Sequence, residues 1–282
     1  MKLWQLSLLS LANALALISG CSTGSGGSQS NPPPASANAF SGQYAFVLSG
    51  LDPAGNAMGV AGGITADGLG HIAGGSVDVN DNRVISSSSA LAGTYTLDSN
   101  SRGIITLTNM VGSVTHPLAF AFTLKADSTA GNMIGVDANN FVISGTIPKQ
   151  DAAGFSLAQL AGDYTFELSS RALSQSTLLG RFTLGQSGAS TNVVFDLSVS
   201  GFGATGPIMG GPVTATFAAA GPNGSGRGTL TLTDNSSVTE NFVYYVVAAG
   251  TFIAIEIEPP VPCKQCSRVL RTSRTSLSHH RL

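Results

Sequence analysis

The chain has 282 residues, room for one large domain or two ordinary ones, and only 10% of them are charged against 43% hydrophobic. With 35 Gly, 12 Pro and so little charge, a coiled coil, a charge-rich disordered chain and a disulfide-stapled miniprotein are all excluded. A formal net charge of −2 gives no overall electrostatic reason to expect nucleic acid as a partner.

Residues 1–20 carry one early cation, Lys2, then an uncharged Leu/Ala-rich run from Leu3 to Ile18 and the small residues Ser19 and Gly20. This is the pattern of a secretion signal, too short and too cleavable at its end for a retained membrane span. Leu17-Ile18-Ser19-Gly20-Cys21 resembles the lipobox of bacterial lipoproteins. The resemblance implies cleavage before Cys21 and acylation of that residue, hence a membrane partner through a lipid anchor. By the sorting rule of such lipoproteins, Ser22 after the cysteine implies the outer membrane or cell surface. The remainder of residues 21–38 is Gly/Ser- and then Pro-rich, cannot bury enough to offset its ordering entropy, and reads as a spacer.

The body repeats itself. Ser41–Ser49 matches Ala161–Ser169, Arg102–Thr108 matches Arg227–Thr233, and Ala130–Asp137 matches Ala249–Glu256, in the same order and at nearly constant offset. The expected organisation is therefore a β-domain over 39–150 and a second over 155–260. Within each copy the apolar period is two: Leu118, Phe120, Phe122 and Leu124 share one face of a strand, and Thr229-Leu230-Thr231-Leu232-Thr233 alternates without a break. Ser156–Leu160 is at most one helical turn. Turn signals at Asp52-Pro53-Ala54-Gly55, Asp67-Gly68, Asn80-Asp81-Asn82, Ser99-Asn100 and Asn223-Gly224 join short strands into sequential hairpins. The fold class is all-β, two tandem antiparallel up-and-down barrels or, alternatively, sandwiches.

Gly42-Gln43-Tyr44 and Gly162-Asp163-Tyr164 each open a copy, and this resembles the Gly-x-aromatic opening of lipocalins and other calycin barrels. The whole repeat, with Ala66–Ile72 and Asp78-Val79-Asn80, is similar to tandem domains of uncharacterised bacterial lipoproteins. If each copy closes, its interior can be packed or can hold a small apolar ligand; Phe46, Leu118, Phe120 and Phe122 are the candidate lining residues.

The two copies part near the end. Copy one continues into Phe141–Ile147, a closing strand, whereas copy two meets Pro259-Pro260-Val261-Pro262 and is expected to lack its last strand. Residues 261–282 carry five basic residues and no acid, while the body from 39 to 260 has a net charge of −8. The tail is expected to be without order. In it, Cys263 and Cys266 are a candidate disulfide, and neither a structural metal nor any other cofactor is expected.

Other motifs carry less. Gly201–Gly206 satisfies GxGxxG but is followed by prolines and glycines rather than a helix, and Asp78–Asn82 lacks the glycine and distal glutamate of a calcium loop, so turn chemistry accounts for it. His71 and His116 are the only imidazoles of the body, and Glu256 and Glu258 share a strand face expected to meet solvent. No catalytic constellation emerges. The expected function is a non-enzymatic, lipid-anchored envelope protein with a structural or interaction role and an envelope protein as partner. The alternative is a barrel for a small apolar ligand; an envelope enzyme ranks last.

Overall fold

The computed structural model describes residues 39–82, 84–108, 116–137, 140–170, 176–199, 208–209, 214–218, 221–233, 239–257 and 268–274. They are nearly all strand. The first half contains β1 (Ser41–Leu51), β2 (Ala57–Asp67), β3 (His71–Asp81), β4 (Val84–Ser88), β5 (Ala92–Leu97), β6 (Arg102–Thr108), β7 (Leu118–Leu124), β8 (Gly131–Gly135) and β9 (Val142–Thr146). After a 3-10 turn at Ala152–Gly154 and a one-turn helix α1 (Leu157–Leu160), the second half contains β10 (Gly162–Ser170), β11 (Ser176–Leu184), β12 (Ser190–Val199), β13 (Ile208–Met209), β14 (Thr214–Phe217), β15 (Arg227–Thr233), β16 (Thr239–Ala248), β17 (Thr251–Glu256) and β18 (Arg268–Arg274).

Every pairing is antiparallel. The first sheet runs β2-β1-β9-β8-β7-β6-β5-β3, and β3 returns to pair with β2, so eight strands close into a barrel with β4 hanging on β3. Closure leaves no edge within the ring. Alternation fills it as expected: Leu118, Phe120, Phe122 and Leu124 of β7 are buried while Ala119, Ala121 and Thr123 face outward. The hairpin from β2 to β3 turns on Asp67, whose carboxylate accepts the N–H groups of Leu69 and His71 at 2.6 and 3.0 Å. Gly68 and Gly70 take the positive φ angles, 79° and 106°, that this turn demands and a side chain would resist.

The second sheet runs β13-β12-β11-β10-β18-β17-β16-β15-β14, the same order of neighbours displaced by nine strands. It differs at one seam. Where β5 pairs with β3 through two residue pairs, β14 meets the start of β12 through the single bridge Ala189 to Thr216, supported by Ala215 N–H to Ser190 Oγ at 2.7 Å. Its core is aromatic: Tyr164 stacks on Phe182 with ring centres 4.9 Å apart, and Phe217, Tyr244 and Phe252 pack against one another.

The closing strand of this sheet corrects an expectation. Residues 268–274 of the basic tail form β18 between β10 and β17, the place that β9 takes between β1 and β8. The prolines fall outside the described residues; beyond them Val269-Leu270 and Thr272 supply β-forming residues to two ladders that would otherwise stop at bare edges. Charge composition concealed that strand.

Candidate functional site

The residues proposed to line a ligand chamber lie inside the barrel and are packed. Phe46, Leu118, Phe120 and Phe122 belong to one buried cluster with Phe40, Tyr44, Tyr95 and Met133. The Phe46 and Phe120 rings are 5.9 Å apart, and Phe40 sits 4.9 Å from both Phe122 and Tyr95. Tyr44 and Tyr164, the aromatics of the two Gly-x-Tyr openings, are buried and anchor loops: the Tyr44 hydroxyl donates to the carbonyl of Ser128 at 3.1 Å and that of Tyr164 to the carbonyl of Leu160. Burial pushes the Tyr244 hydroxyl up to about 12, and this group has no hydrogen-bond partner among the described residues.

His71 sits in the exposed turn, its Nδ1 2.9 Å from Asp67, and His116 is exposed just before β7. Glu256 corrects an expectation: it is buried rather than facing solvent, because its face of β17, shared with Phe252 and Ala254, belongs to the core of the second half. Cys21, Cys263, Cys266 and Glu258 lie outside the described residues.

Two outer faces carry the chemistry instead. Ala45 and Val47 on β1 and Ala61 on β2 pack against Val243 and Tyr245 on β16 and Ile253 and Ile255 on β17, so the halves share an apolar contact. At its border Asp78 of β3 has no exposed surface, and Arg227 of β15 meets it through Nε to Oδ2 and Nη2 to Oδ1, both 2.8 Å. The Tyr245 hydroxyl donates to Oδ2 at 2.6 Å and the Ser87 hydroxyl donates to Oδ1. A two-pronged, fully hydrogen-bonded contact is what makes a buried carboxylate tolerable. The hydrogen bonds to Asp78 hold the Arg227 guanidinium above even its usual pKa, and burial, reinforced by the Asp78 charge, raises the Tyr245 hydroxyl well above the phenol range. Arg227 and Tyr245 therefore keep their protons across the ordinary pH range.

Around this pair the seam continues in neutral hydrogen bonds. Asn80 donates to the Glu256 carbonyl at 2.8 Å, Ser76 and Ser225 hydroxyls meet at 2.7 Å, and Gln43 donates to the Gly224 carbonyl at 2.9 Å. From the connector, Gln150 Nε2 donates to the Val246 and Ser225 carbonyls, while its backbone N–H donates to Gln43. Gly63 is required here for close approach, since a Cβ would stand 2.5 Å from the Ser225 carbonyl oxygen. Asp78–Asp81 is thus strand, and the turn expected from the composition of Asp78–Asn82 is confined to its end, where Asn82 takes a φ of 47° between β3 and β4. A usable signal was present: Tyr44–Leu48 and Phe242–Val247 are apolar on both faces, the mark of strands covered on both sides.

The second face is open. A hollow of about 600 Å³ lies on the outside of the barrel over β5 to β8, lined by Asp98, Arg102, Ile104, Ala121, Thr123 and Ile134, with Phe122 and Met133 at its edge. Ile104 and Ile134 are 47% and 51% exposed, a paired apolar patch flanked by one cation and one anion.

No family model matches the chain, and no curated protein matches it. A solved structure described as the crystal structure of CghA with Sch210972 is similar at 8% identity and a TM-score of 0.23, over 88% of this chain and 96% of that one. A likeness so slight adds nothing to what the strands themselves establish.

Proposed function

We propose that this is a lipid-anchored protein of the cell envelope, at the outer membrane or cell surface, whose all-β body serves as an interaction module rather than a catalyst. The observation that carries the interaction reading is the contrast between the inward residues, which form one buried cluster, and the hollow with the exposed Ile104 and Ile134, which lie on the outer face. The anchor rests on the Leu17–Cys21 run and the spacer behind it. Stable attachment needs more than one acyl chain, which a processed lipobox cysteine supplies. Palmitate labelling in a Gram-negative host should mark the full chain and not C21S, with the variant released from the membrane fraction; equal labelling of both would refute the anchor.

A second reading places a small apolar ligand in the outer hollow, where Leu97, Phe122, Met133 and Ile134 offer apolar walls. An environment-sensitive naphthalene dye whose fluorescence rises with the wild-type chain and not with T123W would support it.

A further inference from the structure

The ladders make the outer hollow the counterpart of the face that joins the halves. Arg227, Tyr245 and Ile253 stand side by side across β15, β16 and β17, as do Thr229, Val243 and Ile255. The same positions on β6, β7 and β8 hold Arg102, Thr123 and Asn132 in one row and Ile104, Ala121 and Ile134 in the next. These are the residues of the hollow.

The receiving face has a counterpart too. Val47, Ala61 and Asp78 align across β1, β2 and β3, and Ala45, Gly63 and Ser76 align beside them. In the second half those places fall to Glu167, Leu179 and Asp196 and to Thr165, Arg181 and Val194. Leu179 and Val194 are 58% and 48% exposed.

Size is inverted between the two pairs of faces. In the joined pair a bulky face, with Tyr245, Val243 and Ile253, meets a small one with Gly63, Ala45 and Ala61. In the free pair the hollow over Thr123, Ala121 and Asn132 corresponds to the bulky face, and Arg181, Thr165 and Leu179 correspond to the small one. Charge follows. Arg102 and Asp196 hold the ladder positions of Arg227 and Asp78. Gly63, which abuts Ser225, is replaced by Arg181, and the turn that carries Ser225 corresponds to one opened by Asp98. Asp98 accepts the N–H groups of Asn100 and Arg102 as Asn223 accepts those of Ser225 and Arg227, so the two turns match in backbone form.

We propose that the hollow over β6–β8 receives the β10–β12 face of a second copy of this chain, repeating between molecules the contact that joins the halves within one. The contact is head-to-tail, so each molecule offers one face of each kind and association extends into short chains or a ring. Its ionic partners are Asp98 of the hollow and Arg181 of the facing strand. More polar than the internal contact, it is weak and concentration-dependent. The proposal deepens the interaction reading by naming the partner, and it does not depend on the anchor.

Sedimentation of the full-length chain in mild detergent tests it. The wild-type average mass should rise with protein concentration, D98R and R181D alone should each stay monomeric, and an equimolar mixture of the two should recover association, because each intact face then finds an intact partner. T123W, which fills the hollow without changing charge, should also abolish association while leaving the far-UV spectrum unchanged. A wild-type chain that is monomeric throughout would overturn the pairing and leave the palmitate result at Cys21 untouched. Association that survives T123W and both charge reversals would overturn it as well.

Discussion

Two outer faces of the same construction, β6–β8 in the first half and β15–β17 in the second, have opposite fates. Both begin with an arginine that follows an Asx-type turn, and both place that arginine beside the same positions of the next two strands. In the second half the neighbours are Tyr245 and Ile253 and the face is buried against β1–β3; in the first they are Thr123 and Asn132 and the face stays open. The two sheets thus join where side chains are large on one face and small, as at Ala45, Ala61 and Gly63, on the face it meets. The ladder positions correspond, and side-chain volume distinguishes the surfaces that join from those that stay open.

The largest way to break the comparison is to remove the two arginines in turn. R227A leaves Asp78 buried without its counter-charge and should cost about 3–5 kcal/mol in urea unfolding. R102A, at the same ladder position of an open face, should stay within about 0.5 kcal/mol of wild type. Replacing both members of the buried pair, D78L with R227M, should recover most of the loss, because the charge rather than the contact is the burden.

A smaller contrast comes from the glycine. G63V drives a branched side chain into the Ser225 carbonyl and should cost about 1–3 kcal/mol. R181V, its counterpart on the free face, should change stability by less than about 0.5 kcal/mol. A like cost at both positions, read from chemical denaturation, would remove the distinction between the faces.

The smallest contrast is in acid. The N–H group of His71 first, then that of Leu69, holds the Asp67 carboxyl at about 2, and the equivalent turn over Gly185–Gly188 has no carboxylate. A carboxyl held below its usual value stabilises the fold above the ordinary carboxylate pKa near 3.8 and loses that contribution as the pH falls through about 2. D67N should therefore melt below wild type at pH 6, with the difference closing by pH 2.

What could be read from the residues divides along the same line. The interior alternation of Leu118, Phe120, Phe122 and Leu124 is a local property of one strand and needs no knowledge of the rest. The role of Asp78 is not local: its partner Arg227 lies 149 positions away, and a polar Asp-Val-Asn-Asp-Asn run has the composition of a turn wherever nothing covers it. Burial on both faces was legible in Phe242–Val247, yet which surface would cover that strand was not, since hydrophobic periodicity marks a buried face without naming what lies against it. The hollow was not legible at all, being defined by the small size of Ala121 and Thr123 relative to neighbours on three other strands.

Native-state hydrogen exchange of the full chain tests most directly whether the halves form one body. Amides of β2 and of β16, on the two sides of the buried contact, should open with a common free energy and the same denaturant dependence in the wild type, and R227A should separate them. Independent opening of β2 and β16 in the wild type, unaffected by R227A, would contradict the joining of the halves through Asp78 and Arg227.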